Sequence, residues 1–433
     1  MDIWNIRGGS RLEGACTVQG SKNASLPIIA ASLISPARTE LMNVPKLRDV
    51  DAALRILRHL GCSAQQQGNE LYIDSRGISE NRIPHSLMLE MRSSVIFMGA
   101  LLARCGEARL SLPGGCQLGK RPIDIHISAL RQMGAEIEED GSNISCRAAK
   151  LRGCVLNLPF PSVGATENIM LTATAAEGET IINGAAREPE IGALAEYLRR
   201  MGCNVAGDGT DTIVISGFKY RDHVSHRIIS DRIAASTLAC AVACTGGDLE
   251  LRDVQAEHFS TVLHFLKQSG CDIMSENCTV RLRSDGKLRA VGELSTQPYP
   301  GFPTDAQPVL MAALLKAEGR TLIRENIFEN RYRQVAQLKR LGADINVDGR
   351  TAEINGVSHL RGTELEATDL RGGAAMIIAG LCAEGETRIY DEGHISRGYE
   401  SLDEVLASLG ADISLCVAAD EKQAAVSMQV IDR

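Results

Sequence analysis

The sequence predicts an α/β protein with two domains, each built from three copies of one βαβαββ-type unit. Three observations lead to this prediction: a glycine-ended helix pattern recurs six times along the 433 residues, each copy also contains an apolar helix pattern, and short strand-like runs separate the two. A chain of this length is too long for one ordinary core, so more than one domain is expected.

The repeat is marked by Leu-x-x-x-Gly followed by Cys or Ala and a short strand pattern. Successive marker glycines are 73, 68, 68, 72 and 68 residues apart. Nearly equal intervals of this kind are the signature of internal duplication. The six markers are Gly61, Gly134, Gly202, Gly270, Gly342 and Gly410.

Each copy predicts two helices of different character. The second helix, as in DVDAALRILRHL at 49–60, has apolar residues three and four positions apart and ends at the marker glycine. The first helix, as in ATENIMLTATAA at 165–176, is apolar nearly all round, which predicts burial on every side. Each domain should therefore have three buried helices at its centre, surrounded by sheets and amphipathic helices. The hinge between the two domains is expected near 219–228.

Composition and net charge limit the classes of protein to which this chain can belong. The formal net charge of −8 argues against a general nucleic-acid binder. The thirteen cysteines form no CxxC pair and no zinc-type spacing, so most are expected to be small buried residues in a reducing compartment. The start of the chain has no apolar signal-peptide core, and the longest charge-free apolar stretch, 233–247, is shorter than the ~20 residues that span a bilayer, so a cytoplasmic protein is expected.

The residues that precede the six apolar helices are polar and include several cations. Free N–H groups at a helix start attract anions, and Lys22, Arg92 and Arg371 would add full charges there. Ordinary N-capping is the alternative explanation for the Ser, Thr and Asp residues at these positions. The six starts are 21–23, 91–93, 162–164, 230–232, 303–305 and 368–371.

One loop is longer than its counterparts. From the glycine that ends the apolar helix to the marker glycine, copies three to six have 24, 23, 23 and 25 residues, whereas copy two has 28. The added length falls in LPGGCQLGKRPIDIH at 112–126, where Cys116 lies near Lys120 and Arg121. Nearby cations favour a reactive thiolate. A loop with an incidental cysteine remains the alternative.

Seven motifs follow one another along the whole chain. They are SKNASLPI (21–28), LPGGCQLGKRPIDIH (112–126), PSVGATENIM (161–170), FPTDAQP (302–308), ENIFENRY (325–332), TDLRGGAA (368–375) and SRGYESLDE (396–404). In this order they resemble the enolpyruvyl transferase family, and within it the enzymes that use UDP-N-acetylglucosamine. The resemblance implies two inside-out α/β barrel domains, residues 21–228 and residues 1–20 plus 229–433.

The resemblance also implies the reaction and the residues that perform it. The enolpyruvyl group of phosphoenolpyruvate would move to the 3′-hydroxyl of UDP-N-acetylglucosamine with release of phosphate, the first committed step of peptidoglycan synthesis. Cys116 would be the general acid and Asp305 the general base. The phosphate would be held by Lys22, Arg121 and Arg397, with Asn23 beside them, and the carboxylate by Arg331 and Arg371. The nucleotide sugar would contact Asn23, Arg92, Arg121, Pro122, Ile123, Asp124, Ile125, Ser162, Val163, Gly164, Asp305 and Ile327.

Neither a metal nor an organic cofactor is implied, and fosfomycin is the expected inhibitor, alkylating Cys116. Membrane and nucleic-acid partners are not expected. Two positions depart from the family: Phe160 stands where some relatives have a lysine near the diphosphate, and Arg48 replaces a frequent lysine.

Three other classes of protein share some of these features. A 3-phosphoshikimate 1-carboxyvinyltransferase shares the fold and donor but lacks the PGGC loop. A sliding clamp is also acidic and six-fold repeated, but it needs basic helices around its pore, whereas the repeated helices here are apolar. A paralogue that binds UDP-sugars without catalysis is left open by the sequence.

Overall fold

The computed structural model describes residues 1–91, 93–111, 123–141, 143–219 and 221–417. By contacts, the chain divides into two units. The first unit is Gln19–Arg232 with Gln297–Gly301, and the second unit is Met1–Val18, Ile233–Thr296 and Phe302–Arg433. The first unit thus ends four residues after the sequence-based boundary at 228 and also includes the short segment 297–301, which the sequence analysis assigned to the other domain.

The strands are short and occur in every repeat. They are β1 (Asp2–Arg7), β2 (Leu12–Thr17), β3 (Arg38–Met42), β4 (Ser63–Gln67), β5 (Glu70–Asp74), β6 (Arg82–Ile83), β7 (Glu107–Ser111), β8 (Glu136–Asp140), β9 (Asn143–Arg147), β10 (Val155–Asn157), β11 (Glu179–Asn183), β12 (Cys203–Ala206), β13 (Thr212–Phe218), β14 (His223–Arg227), β15 (Gly247–Arg252), β16 (Asp272–Glu276), β17 (Thr279–Ser284), β18 (Gly292–Ser295), β19 (Arg320–Arg324), β20 (Asp344–Asp348), β21 (Thr351–Asn355), β22 (Glu364–Glu366), β23 (Glu386–Asp391) and β24 (Asp412–Val417).

Helices alternate with these strands. The α-helices are α1 (Lys22–Ala31), α2 (Arg48–His59), α3 (His85–Glu90), α4 (Phe97–Cys105), α5 (Asp124–Gln132), α6 (Val163–Ala173), α7 (Pro189–Met201), α8 (Arg232–Thr245), α9 (Ser260–Gln268), α10 (Gln307–Ala313), α11 (Val335–Arg340), α12 (Leu370–Cys382) and α13 (Leu402–Ser408). Short 3-10 helices are Ser94–Ile96, Ala256–Phe259, Thr304–Ala306, Leu314–Lys316 and Ile395–Arg397.

The described strands form six four-stranded sheets with one shared topology. Three lie in the first unit, with orders β14-β3-β5-β4, β6-β7-β9-β8 and β10-β11-β13-β12, and three in the second, with orders β2-β15-β17-β16, β18-β19-β21-β20 and β22-β23-β1-β24. In each sheet the first two strands pair in parallel and the others are antiparallel. This is the topology of a βαβαββ unit, because a parallel pair needs a crossover helix. The predicted fold class is confirmed.

Within each unit, some sheets include a strand that is distant in sequence from the other strands of that sheet. Strand β14, which follows the third repeat, supplies the first strand of the first sheet. Strand β2 opens the fourth sheet and β1 completes the sixth, where it lies between β23 and β24. The N-terminal strands are therefore part of the second unit.

The apolar helices are buried, as predicted. Helix α1 is buried from Ala24 to its last residue, and α12 from Arg371 to Leu381. Within the units, α4 packs against α6 and α10 against α12. Each unit has its own hydrophobic core. Burial of each Leu, Ile or Met side chain stabilises the unit by about 1.5–3 kcal/mol.

The six marker glycines lie in the left-handed region of backbone space. Their φ angles are between 96° and 114°, which explains why glycine recurs where each amphipathic helix ends. Helix α11 begins only at Val335 and is short, because residues 329–334 form turns before it. Helix α3 was not predicted. No helix in the described part of the chain is long and apolar enough to cross a membrane.

Candidate active site

The carboxylate of Asp305, just before α10, lies between two arginine side chains. Arg331 donates from Nη2 to Asp305 Oδ1 at 2.8 Å, and Arg371 donates from Nη2 to Asp305 Oδ2 at 3.2 Å. Both arginine side chains are only 3% exposed, whereas that of Asp305 is 30% exposed. These three residues, which the sequence analysis assigned to carboxylate binding and base catalysis, are thus brought together in the second unit.

Local structure holds each member of this cluster. Asp305 lies in the 3-10 helix Thr304–Ala306, and Arg331 Nε and Nη2 also donate to the Thr304 carbonyl at 3.1 and 2.9 Å. The turns that shorten α11 position Arg331 for these bonds. Arg371 is the second residue of α12, which Asp369 caps by accepting from the N–H groups of Arg371 and Gly372, both at 3.0 Å.

Aromatic rings flank both guanidinium groups. The Phe328 ring centre is 5.8 Å from Arg331 Cζ, and the Tyr399 ring centre is 5.4 Å from Arg371 Cζ. Tyr399 is fixed in turn by a 2.9 Å hydrogen bond between its hydroxyl and that of Thr237. Cation–π contacts and burial restrict both arginines. Such fixed guanidinium forks suit bidentate binding of a carboxylate.

Glu325 connects two segments of this site and was missed by the sequence analysis. Its Oε1 accepts from the N–H groups of Ile327 and Phe328 at 2.9 and 3.0 Å, and its Oε2 accepts from the Thr304 hydroxyl at 3.0 Å. Glu325 is 1% exposed. Since ENIFENRY contains a second glutamate four residues further on, Glu329, the sequence offered no signal to separate a buried from an exposed role.

Arg397 lies close to the start of α12. It ends the 3-10 helix Ile395–Arg397, which Asp391 supports by accepting from the N–H groups of His394 and Ile395. Glycine at two positions lets this 3-10 helix pack closely against α12. A Cβ on Gly373 would lie 2.6 Å from Ile395 Cγ1, and one on Gly398 would lie 2.8 Å from Leu370 Cδ2. Arg397 is half-buried.

In the first unit, Lys22 begins α1 and is held by two acidic residues. Its Nζ is 3.4 Å from Asp49 Oδ2, and its backbone N–H donates to Asp231 Oδ2 at 3.2 Å. The side chains of Lys22 and Asp49 are 12% and 3% exposed. Asn23 follows Lys22 and is half-buried. Asp49 was not predicted, because its RDVD motif indicates only the charged start of an amphipathic helix.

The predicted nucleotide-binding segments of the first unit lie at two helix starts. Ile123 precedes α5, and Asp124 and Ile125 are its first residues. Ser162 caps α6, with its Oγ 3.4 Å from the Ala165 nitrogen, so the N-capping interpretation is confirmed at this position. Val163 and Gly164 are half-buried in the first turn. Ile327 lies in the second unit, on the loop that Glu325 holds.

Four predicted site residues lie outside the described residues: Arg92, Cys116, Arg121 and Pro122. Their proposed roles therefore rest on the sequence. Among the described residues there is no group of three or more His, Cys, Asp or Glu side chains that could hold a metal ion.

Comparison with known proteins identifies the class. A family model described as EPSP synthase (3-phosphoshikimate 1-carboxyvinyltransferase) matches residues 6–406. The enolpyruvyl transferase NikO from Streptomyces tendae superimposes with a TM-score of 0.86 at 26% identity, covering 96% of this chain and 99% of NikO. EPSP synthase from Acinetobacter baumannii superimposes with a TM-score of 0.76 at 23% identity, covering 96% and 100%, which shows the shared fold. The chain belongs to the enolpyruvyl transferase family.

Relatives matched by sequence within this family are more similar to this chain than these two structures are. UDP-N-acetylglucosamine 1-carboxyvinyltransferase 2 of Caldanaerobacter subterraneus subsp. tengcongensis is 46% identical over 413 residues. The match covers 95% of this chain and 99% of the relative.

Proposed function

We propose that this enzyme transfers the enolpyruvyl group of phosphoenolpyruvate to the 3′-hydroxyl of UDP-N-acetylglucosamine and releases phosphate. The observation that carries the proposal is the pair of buried arginines, Arg331 and Arg371, which share the carboxylate of Asp305. Such a pair can bind the carboxylate of the donor, and the adjacent carboxylate can accept the proton of an attacking hydroxyl. The relative that is 46% identical supports the choice of UDP-N-acetylglucosamine as the acceptor.

The residues that bind the phosphate of phosphoenolpyruvate are assigned by their charge. Phosphoenolpyruvate has about three negative charges, so its phosphate requires cations in addition to the arginine pair. Lys22, Arg121 and Arg397 supply these cations, and Asn23 adds a neutral hydrogen-bonding group beside Lys22.

The acceptor is assigned to the helix starts of the first unit and to the Ile327 loop. The uridine diphosphate contacts Arg92, the 121–125 segment and Ser162-Val163-Gly164. The sugar is directed towards Asp305. Helix starts suit the diphosphate, because their N–H groups and dipoles attract negative charge.

The reaction is an addition followed by an elimination. Cys116 gives a proton to C3 of phosphoenolpyruvate, while the sugar 3′-oxygen forms a bond to C2 and its hydroxyl proton passes to Asp305. A tetrahedral phospho-ketal results. The C2–O bond to phosphate then breaks and the phosphate leaves with that electron pair. The Cys116 thiolate takes a proton back from C3, which restores the double bond. Catalysis needs the two substrates held in register.

The pathway to which this reaction belongs follows from its product, an enolpyruvyl ether of UDP-N-acetylglucosamine. We assign it to the synthesis of peptidoglycan precursors in the cytoplasm. No metal or organic cofactor takes part in the proposed steps.

The deciding experiment is an assay of phosphate release from phosphoenolpyruvate with purified full-length enzyme. We expect release with UDP-N-acetylglucosamine as the acceptor and none with shikimate 3-phosphate. Release only with shikimate 3-phosphate would favour the related transferase. Binding of UDP-N-acetylglucosamine without any phosphate release would identify a paralogue without catalytic activity.

A further inference from the structure

A cavity of about 500 Å³ lies in the first unit, where β12 begins and β13 ends. Ligand sites commonly have volumes of about 300–1,000 Å³, so this cavity is large enough for a small organic molecule. None of the residues around it has a role in the proposed reaction. They are Gly202, Asn204, Gly217, Phe218, Lys219 and Arg221.

Two glycines bring the groups that line this cavity together. The Lys219 N–H donates to the Gly202 carbonyl at 3.0 Å, and a Cβ on Gly202 would lie only 1.9 Å from the Lys219 carbonyl oxygen. A Cβ on Gly217 would lie 3.4 Å from Asn204 Nδ2. The Phe218 side chain is 36% exposed, and Lys219 is exposed as well. An amide, an aromatic ring and a cation therefore share one surface.

In two other repeats the residue that corresponds to Lys219 is paired with a glutamate. The carbonyl groups of Lys150 and His359 face the marker glycines of copies two and five, as that of Lys219 does in copy three. Lys150 Nζ is 2.6 Å from Glu177 Oε2, and His359 Nδ1 is 2.7 Å from Glu384 Oε1. A carboxylate thus faces the basic residue in both of these repeats.

The third repeat has no glutamate at this place. In the sheets that follow copies two, four and five, the glutamate belongs to the motif Ala-Glu-Gly-x-Thr at 176–180, 317–321 and 383–387. After copy three, strand β14 pairs with β3, and the corresponding segment 35–39 has Pro36 in place of the glutamate. Within the described ranges, neither Lys219 nor Arg221 forms an ion pair. Two cations therefore line the cavity without the carboxylate that the repeat supplies elsewhere.

We propose that this cavity binds a phosphate monoester that carries a planar ring, with the phosphate at Lys219 and Arg221 and the ring against Phe218. Exposed cations attract a phosphate, and the guanidinium fork can bind two of its oxygens. The flat face of an aromatic side chain stacks on a planar ring. The Asn204 amide can donate and accept hydrogen bonds at the ring edge. The inference does not depend on the proposed transferase activity.

The first test measures binding of four probes to the full-length wild-type protein by calorimetry. Adenosine monophosphate and phenyl phosphate carry both a ring and a phosphate, whereas adenosine and inorganic phosphate each carry one of them. We expect at least one of the first two probes to bind at least about tenfold more tightly than either of the others. The tighter of these two distinguishes a nucleotide from a simple aryl phosphate. No preference over inorganic phosphate would overturn the proposal.

The same titrations at saturating UDP-N-acetylglucosamine show whether the probe binds elsewhere. The affinity for adenosine monophosphate should be unchanged, because none of the cavity residues is assigned to the nucleotide sugar. Loss of probe binding when the nucleotide sugar is present would place the probe in the candidate active site and would contradict the proposal.

The second test removes the binding groups. The double variant Lys219→Met with Arg221→Met should weaken binding of adenosine monophosphate at least about tenfold, the effect of lost hydrogen bonds from charged groups. Phe218→Ser should reduce the affinity to that of inorganic phosphate. Pro36→Glu supplies the missing carboxylate opposite Lys219 and should weaken binding as the double variant does.

The matched control is Lys150→Met with Arg152→Met, which makes the same charge change at the corresponding positions of copy two. This control should bind adenosine monophosphate as the wild type does. Melting temperatures should be the same for all variants, since the substituted side chains lie at the surface or, for Pro36, at a position where other repeats have glutamate. An equal loss in the control, or unchanged binding in the double variant, would show that the cavity is not the binding site.

Discussion

Arg331 and Arg371 each donate a hydrogen bond to a different oxygen of Asp305, at 2.8 and 3.2 Å. The carboxylate proposed as the general base is therefore also the partner of the two arginines proposed to bind the donor. Each guanidinium donates to Asp305 through Nη2, so a donor carboxylate bound by the same two arginines would share their positive charge with Asp305. Removing Asp305 should then affect proton transfer and donor binding in ways that kinetics can separate.

We predict that Asp305→Asn lowers kcat by at least about 100-fold, since an amide cannot accept the hydroxyl proton. Binding of UDP-N-acetylglucosamine, measured by calorimetry without phosphoenolpyruvate, should change little because Asn is nearly the same size. A variant with nearly normal kcat but a higher KM for phosphoenolpyruvate would show that Asp305 only positions the arginines.

Glu325 should be a positioning residue for both the Thr304 turn and the Ile327 loop. Glu325→Ala leaves two partly buried N–H groups and a partly buried hydroxyl without their acceptor, each at a cost of about 1 kcal/mol. We expect kcat/KM for UDP-N-acetylglucosamine to fall at least about tenfold. Glu325→Gln keeps the oxygen that accepts both N–H groups and should stay within about threefold.

The neighbouring Glu329 provides the control for this prediction. Its side chain is 71% exposed, and its ion-pair distance to Arg350 is 3.8 Å. Exposed ion pairs contribute little to stability. Glu329→Ala should therefore have the same kinetics as the wild type. Equal kinetics for the alanine variants at 325 and 329 would contradict the positioning role.

Glu167 on α6 should make the first unit less stable as pH rises. Burial, with help from Glu190 and Glu188, raises its pKa well above 4.5. Above pH 4.5 the unfolded chain therefore releases this proton before the folded chain does, which favours unfolding. Glu167→Gln has no proton to release, so we expect a higher melting temperature at pH 8 and no difference at pH 4.

At pH 8 the melting temperature of Glu167→Gln should exceed that of the wild type by at least about 2–4 °C. This is the shift that ~1 kcal/mol of stability gives in a domain of this size. Thermal unfolding followed by circular dichroism from pH 4 to pH 8 measures it. Glu179→Gln, an exposed counterpart on β11, should show no such pH dependence. A gain independent of pH would mean that packing, and not ionisation, distinguishes the variant.

Periodicity predicted the repeats, the buried helices and the βαβαββ topology, because these depend on local patterns of apolar residues. The ion pairs of the site depend on side chains far apart in the chain. Lys22 meets Asp49 from the next helix, and Arg371 meets Asp305 across 66 positions. Family motifs identified Asp305 and its arginines, whereas Glu325 and Asp49 became candidates only through their contacts.

Chemical reactivity provides a test of Cys116 that does not depend on its position in the structure. Burial raises the pKa of most other thiols, to about 11 for Cys62 and about 12 for Cys146 and Cys203. Such thiols react slowly, since the thiolate is the nucleophile. Cys105, Cys278 and Cys416 are exposed and are the internal controls for unspecific labelling.

We predict that fosfomycin, a small phosphonate epoxide resembling the donor, alkylates Cys116, whose thiolate is favoured by Lys120 and Arg121. Modification should be faster when UDP-N-acetylglucosamine is bound. Cys116→Asp should resist the inhibitor yet keep activity, because a carboxylic acid can still give a proton but attacks an epoxide poorly. Cys116→Ser should lose most activity, since a hydroxyl is a much weaker acid. Intact mass and peptide mapping measure the outcome, and labelling of the three exposed cysteines at the same rate as Cys116 would show that the 112–126 loop is not the reactive element.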